Sequence, residues 1–157
     1  MNSIIIRVKL KKSLISQNVN NSMKTIKTYI SLPITGHEST AMKRCMEAKE
    51  RLEKIFKGAD TQGYELEVVF PKGVDKIGTP EQDNTKPLGY WLGEDIKLLM
   101  ESDAVYVCDG YIDSNGCQLE IQCADIYEKT LLSECYPDFT NAHKLGLLVK
   151  EMSRSER

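Results

Sequence analysis

Two carboxylates stand where helical spacing calls for apolar side chains. In DSNGCQLEIQCADIY, residues 113–127, a polar turn runs into a helical pattern. At 3.6 residues per turn Gly116, Leu119, Glu120, Cys123, Ala124 and Tyr127 share one face, and Glu120 is the only acid on it. Asp95 repeats the anomaly, because Leu88, Leu92 and Leu99 define a stripe that Asp95 falls within. A carboxylate taken out of water without a partner is costly and tends to take up a proton instead. Either acid alone reads as a helix-edge residue that reaches solvent. Two of them, on successive helices flanking one apolar strand, fit a shared cavity suited to nucleophilic or proton-transfer chemistry.

Other groups are less specific. SLPITGH (31–37) is a strand-to-helix turn whose backbone amides could bind an anion, or simply a turn. Ser114, Asn115 and Gly116 read either as substrate contacts or as an ordinary capped turn. His37 and His143 read as surface residues, and Tyr90 and Trp91 as core, with a base-stacking wall as the alternative. Cys45, Cys108, Cys117, Cys123 and Cys135 form no CxxC pair, so no metal site is expected.

The length of 157 residues suits one domain. Residues 1–22 carry Arg7, Lys9, Lys11 and Lys12 and no acid, which leaves 17 basic against 23 acidic residues in the rest. An acidic body argues against a nucleic-acid partner. No apolar run is long enough for a membrane span. The odd cysteine count fits reduced thiols in a cytoplasm. The IIIRV run is too short for a secretory core, so residues 1–22 are expected to be a poorly ordered basic extension of a domain over 23–157.

The elements that must position the carboxylates follow from periodicity. KTIKTYISL (24–32) reads as a strand, and Ser39 or Thr40 as the cap of a helix buried through Ala41, Cys45, Ala48, Leu52 and Ile55 and ending near Gly58. ELEVVF (65–70) is a second strand. Residues 71–88, broken by Pro71, Pro80 and Pro87, read as a functional loop. A helix from Leu88 to Leu99, a core strand DAVYVCDGY (103–111), a helix over 115–128 and a short strand TLLSE (130–134) follow. NAHKLGLLVKEM (141–152) ends the fold as a helix or a helix and strand. Strands alternating with helices predict an α/β fold with a mostly parallel sheet and right-handed crossovers. Ligands bind beyond the carboxyl ends of such strands, where PITG, the 71–88 loop and DSNG would gather.

YISLPITG, GEDIKLLMESDAVYV and DSNGCQLEIQCA together resemble the nucleoside 2-deoxyribosyltransferase superfamily over about residues 25–134. The resemblance is to its small branch marked by YIxxPITG, a neighbour of the 2′-deoxynucleoside 5′-phosphate N-hydrolases. It implies a Rossmann-like or flavodoxin-like three-layer fold with about four or five strands, assembled as a homodimer or larger homo-oligomer. It also implies a small-molecule nucleoside or nucleotide as ligand, and no cofactor. Glu120 takes the position of the nucleophile and Asp95 that of the helix aspartate. Ser114 and Gly116 fall where the substrate is contacted, and Ser31, Pro33, Ile34, Thr35 and Gly36 form the sugar- and phosphate-contacting loop. The chain departs from the hydrolases in carrying Thr35 where they often have arginine, and from the transferases after Glu134.

The implied reaction is attack of Glu120 on C1′ of the sugar, as in retaining glycosidases. The resemblance leads one to expect an ionised Glu120 whose pKa is lowered by the helix dipole, and Asp95 in a drier setting handling a proton. A non-catalytic nucleotide-binding module on the same fold is the alternative.

Overall fold

A computed structural model describes residues 22–74 and 88–157. The expectations for the basic extension over 1–21 and for the loop over 75–87 lie outside the described residues. The described elements are β1 (Lys24–Ser31), α1 (Glu38–Lys57), β2 (Tyr64–Val69), α2 (Leu88–Met100), β3 (Ala104–Val107), a 3₁₀ turn (Tyr111–Asp113), α3 (Asn115–Ile126), β4 (Thr130–Ser133) and α4 (Asp138–Ser155). Among the described residues the four strands form one all-parallel sheet in the order β2-β1-β3-β4.

That order explains the layers. The chain steps from β1 to β2 in one direction, then crosses back past β1 to β3 and β4. Right-handed crossovers in opposite directions put their helices on opposite faces. The first core layer accordingly joins Ile26, Ile30, Tyr106 and Leu132 to Ala41, Cys45, Leu52 and Ile55 of α1 and Leu145, Leu148 and Val149 of α4. The second joins Tyr29, Val105 and Val107 to Leu99 of α2 and Ala124 of α3. The result is a three-layer α/β fold of the flavodoxin-like kind. The strand order reverses between β1 and β3, which is where such sheets open a crevice beyond their carboxyl ends. Among the described residues no helix is long and apolar enough to cross a membrane.

Four local expectations change. Helix α1 begins at Glu38 with His37 as its cap, and the Thr40 hydroxyl donates to the His37 carbonyl from inside the first turn. Neither Ser39 nor Thr40 is therefore the cap. Strand β3 stops at Val107 rather than running to 111. The Cys108 amide makes a last bond to the Ser31 carbonyl, the Asp109 amide turns to the Glu134 carboxylate, and Gly110 bends the chain at φ 83°. The C-terminal helix starts earlier and ends later than the apolar pattern suggests. Finally, α3 is rotated. Its buried residues are Cys117, Glu120 and Ala124, whereas Leu119 and Tyr127 are 40% and 58% exposed. Bonds from β1 to Glu120 set that rotation, so the residues three before and four after Glu120 fall beneath the helix.

Candidate active site

The alternation of β1 builds the floor of the site. Tyr29 and Ser31 lie two residues apart, so both side chains leave the sheet toward α2 and α3. Ser31 is the last residue of β1 and pairs with Val107, which places it at the carboxyl edge beside the switch point. Helix α3 begins above that edge, where the Ser114 hydroxyl accepts the Cys117 amide at 3.3 Å as an N-cap. Glu120 follows little more than a turn later, over the end of β1.

Both carboxylate oxygens of Glu120 are held. The Tyr29 hydroxyl donates to Oε1 at 2.8 Å and the Ser31 hydroxyl to Oε2 at 2.5 Å. The residue is 4% exposed. Burial pushes its pKa from an ordinary 4.5 up to about 7, against the two hydroxyls, which favour the anion, and with the Asp95 charge, which opposes it. The expected lowering by the helix dipole is overturned. Glu120 is the sixth residue of α3, past the first turn where the dipole acts, and desolvation dominates.

Asp95 lies on α2 and is 9% exposed. Its Oδ1 accepts the Lys72 amide at 2.6 Å. Burial raises its pKa to about 6, while the Lys72 amide holds it down. The drier setting therefore belongs to Glu120, the less exposed of the two, and not to Asp95. Both carboxylates also oppose ionisation of Tyr29, whose phenol is pushed well above its ordinary value by burial first and then by Glu120 and Asp95. Both acids thus act electrostatically on one buried hydroxyl while keeping separate hydrogen-bond partners.

The remaining expected site residues distribute around this pair. Gly116 lies where α2 meets α3; a Cβ there would stand 3.8 Å from Leu92 and 3.9 Å from the Ser114 hydroxyl. Pro33 is buried, with its ring 3.6 Å from the position a Cβ on Gly110 would take, and Ile34 packs on the first core layer. Thr35 and Gly36 are exposed. Gly36, at φ 81°, bends a turn closed by the His37 amide on the Ile34 carbonyl at 2.8 Å. Its own amide donates to the Glu38 carboxylate at 3.0 Å, so a donor that could meet an anion already holds one from the chain itself.

Tyr90 and Trp91 belong to neither core layer, contrary to the expectation. They stand in the first turn of α2, with Tyr90 42% exposed. Their rings meet edge to face at 5.2 Å, and Trp91 covers Gly73. His37 and His143 are exposed, as expected of surface residues. Grooves lined by Tyr111, Ile112 and Gln118, and by Asp60, Phe139 and His143, include neither carboxylate.

Tyr29, Cys117 and the Lys72 amide were not foreseen as parts of the site. Only the Tyr29–Ser31 spacing within a strand carried a signal, and it told of a shared face without naming what that face would meet.

No curated protein and no solved structure matches this chain. A family model described as a domain of unknown function (DUF4406) matches residues 26–133, from β1 through β4, and so spans Tyr29, Ser31, Asp95 and Glu120. The chain belongs to that DUF4406 family.

Proposed function

We propose that this protein cleaves or transfers the N-glycosidic bond of a (deoxy)nucleoside or its 5′-monophosphate, with Glu120 as the nucleophile. The observation that carries the reading is a buried glutamate with both oxygens fixed by hydroxyls, within electrostatic reach of a second buried carboxyl group. Burying a carboxyl group is costly, and burial here leaves Glu120 hydrogen-bonded with a pKa near 7, in the range of groups that exchange protons at neutral pH.

One Glu120 oxygen attacks C1′ as the C1′–N bond breaks and its electron pair leaves with the base. The two hydroxyls use about two of the four lone-pair directions of the carboxylate, so others remain for attack. With a pKa near 6, Asp95 holds a proton in a fraction of molecules at neutral pH and can deliver it to the departing base. Water, or a second base in a transfer reaction, then takes C1′ from the glycosyl-enzyme and regenerates the carboxylate. Thr35 and the occupied Gly36 amide favour a nucleoside over a monophosphate. The five free thiols support a cytoplasmic setting, and the uncharged outer stripe of Leu119, Gln122 and Ile126 on α3 supports self-association.

A nucleotide-binding module is the second reading. Asp95 already has a structural duty, accepting the Lys72 amide, which accounts for it without catalysis. Purified protein incubated with deoxynucleosides, ribonucleosides and their monophosphates, with free base assayed chromatographically, separates the two. Base release by wild type and not by Glu120→Gln supports the enzyme. Ligand binding by wild type with no release supports the module.

A further inference from the structure

We infer that Ser31 is a positioning residue for Glu120: its hydroxyl orients the carboxylate and favours its ionised form, and it does not touch the ligand. This rests on reading Glu120 as the nucleophile, and it departs from the expectation that Ser31 contacts substrate.

Ser31 is fully buried, and its one hydroxyl hydrogen is committed to Oε2 at 2.5 Å, the shorter of the two bonds that Glu120 receives. Charge-assisted bonds of that length are the strong ones. The donor is rigidly mounted, since Ser31 pairs with Val107 and its carbonyl accepts the Cys108 amide at 2.9 Å. The Cys117 thiol lies near the same hydroxyl. Burial pushes that thiol up, so it keeps its hydrogen even though the Ser114 and Ser31 hydroxyls beside it favour the thiolate. A protonated thiol beside the serine oxygen leaves the serine hydrogen to Glu120. Among the described residues Ser31 is the only group that donates to Oε2. Without it that oxygen is buried without a partner, and the anion loses ground to the acid. Tyr29 cannot substitute, because it is already spent on Oε1.

The test is a carboxyl-carbon NMR titration of ¹³C-glutamate-labelled full-length protein, with the Glu120 resonance assigned by its loss in Glu120→Gln. Ser31→Ala should raise the Glu120 midpoint by roughly one to two pH units, and Ser31→Thr, which keeps a hydroxyl, should return it toward wild type. An unchanged midpoint in Ser31→Ala overturns the inference. So does a rise that Ser31→Thr reproduces in full, since packing and not the hydroxyl would then set Glu120. If base release is observed, Ser31→Ala should move the acid limb of kcat/KM upward with KM little changed at high pH, whereas a rise in KM at every pH would make Ser31 a substrate contact. The titration needs no turnover. A shifted midpoint in a protein that never releases base would defeat the nucleophile reading and leave the control of Glu120 by Ser31 intact.

Discussion

Glu120 and Tyr29, 91 residues apart in the chain, meet in a 2.8 Å hydrogen bond between the sheet and α3. Burial and the two neighbouring carboxylates keep the phenol protonated far above neutral pH, so it is a permanent donor. Glu120 has no such permanence. Its ionisation falls within the physiological range and couples to stability, to chemistry and to Asp95.

The stability of the fold should decline as pH rises through neutrality. Both acids have folded pKa values above their ordinary ones, about 7 against 4.5 for Glu120 and about 6 against 3.8 for Asp95. Between those limits the folded state binds more protons than the unfolded state, so raising the pH disfavours folding. Glu120→Gln removes the larger part of that slope. Urea unfolding should find the variant more stable than wild type at pH 8, by on the order of 3 kcal/mol at most, and little different at pH 5. Equal destabilisation of Glu120→Gln at both values would show that the carboxylate is a net stabiliser.

Two substitutions at Asp95 should separate its roles. Asp95→Asn keeps an acceptor for the Lys72 amide but loses the transferable proton, so base release should fall by roughly 10²–10⁴-fold with stability nearly kept. It also removes a charge that opposes Glu120, which should lower the acid limb of the rate profile. Asp95→Ala strands the Lys72 amide and should cost about 1–3 kcal/mol in addition. Wild-type turnover in Asp95→Asn would leave Asp95 with a structural duty alone.

Gly73→Ala should disturb the wall formed by Trp91. Gly73 has φ 79°, and a Cβ there would lie 3.3 Å from the Trp91 ring. The left-handed backbone costs an alanine about 1–2 kcal/mol, and the ring must also give way. Thermal unfolding should report the loss. Because Trp91 is the only tryptophan, its fluorescence reports the ring's movement directly. An unchanged spectrum would mean that the segment after β2 shifts instead.

Ser114 should behave first as a helix cap. Ser114→Ala loses the acceptor for the Cys117 amide and should destabilise by about 1 kcal/mol. Ser114→Asp keeps an acceptor and adds a charge that suits a helix N-terminus. That variant should be as stable as wild type yet reject a 5′-phosphate. Equal kinetics toward nucleosides and monophosphates in Ser114→Asp would confine Ser114 to capping.

Periodicity by itself determined the parallel α/β layering and the buried stripe of α1, where Ala41, Cys45, Ala48, Leu52 and Ile55 are all covered. It also marked Asp95 and Glu120 as acids in apolar positions, and both are buried. These features are local: a 3.6- or 2-residue repeat states which residues share a face. What that face meets is not local. The Tyr29, Ser31 and Lys72 donors come from other segments, and the bonds that Tyr29 and Ser31 make turn α3 away from the face that its apolar residues suggest. The pKa of Glu120 departs from the sequence expectation for the same reason. Helix position speaks only of the dipole, whereas the value near 7 is a balance of desolvation, two hydroxyls and a second carboxylate, and packing alone brings those together.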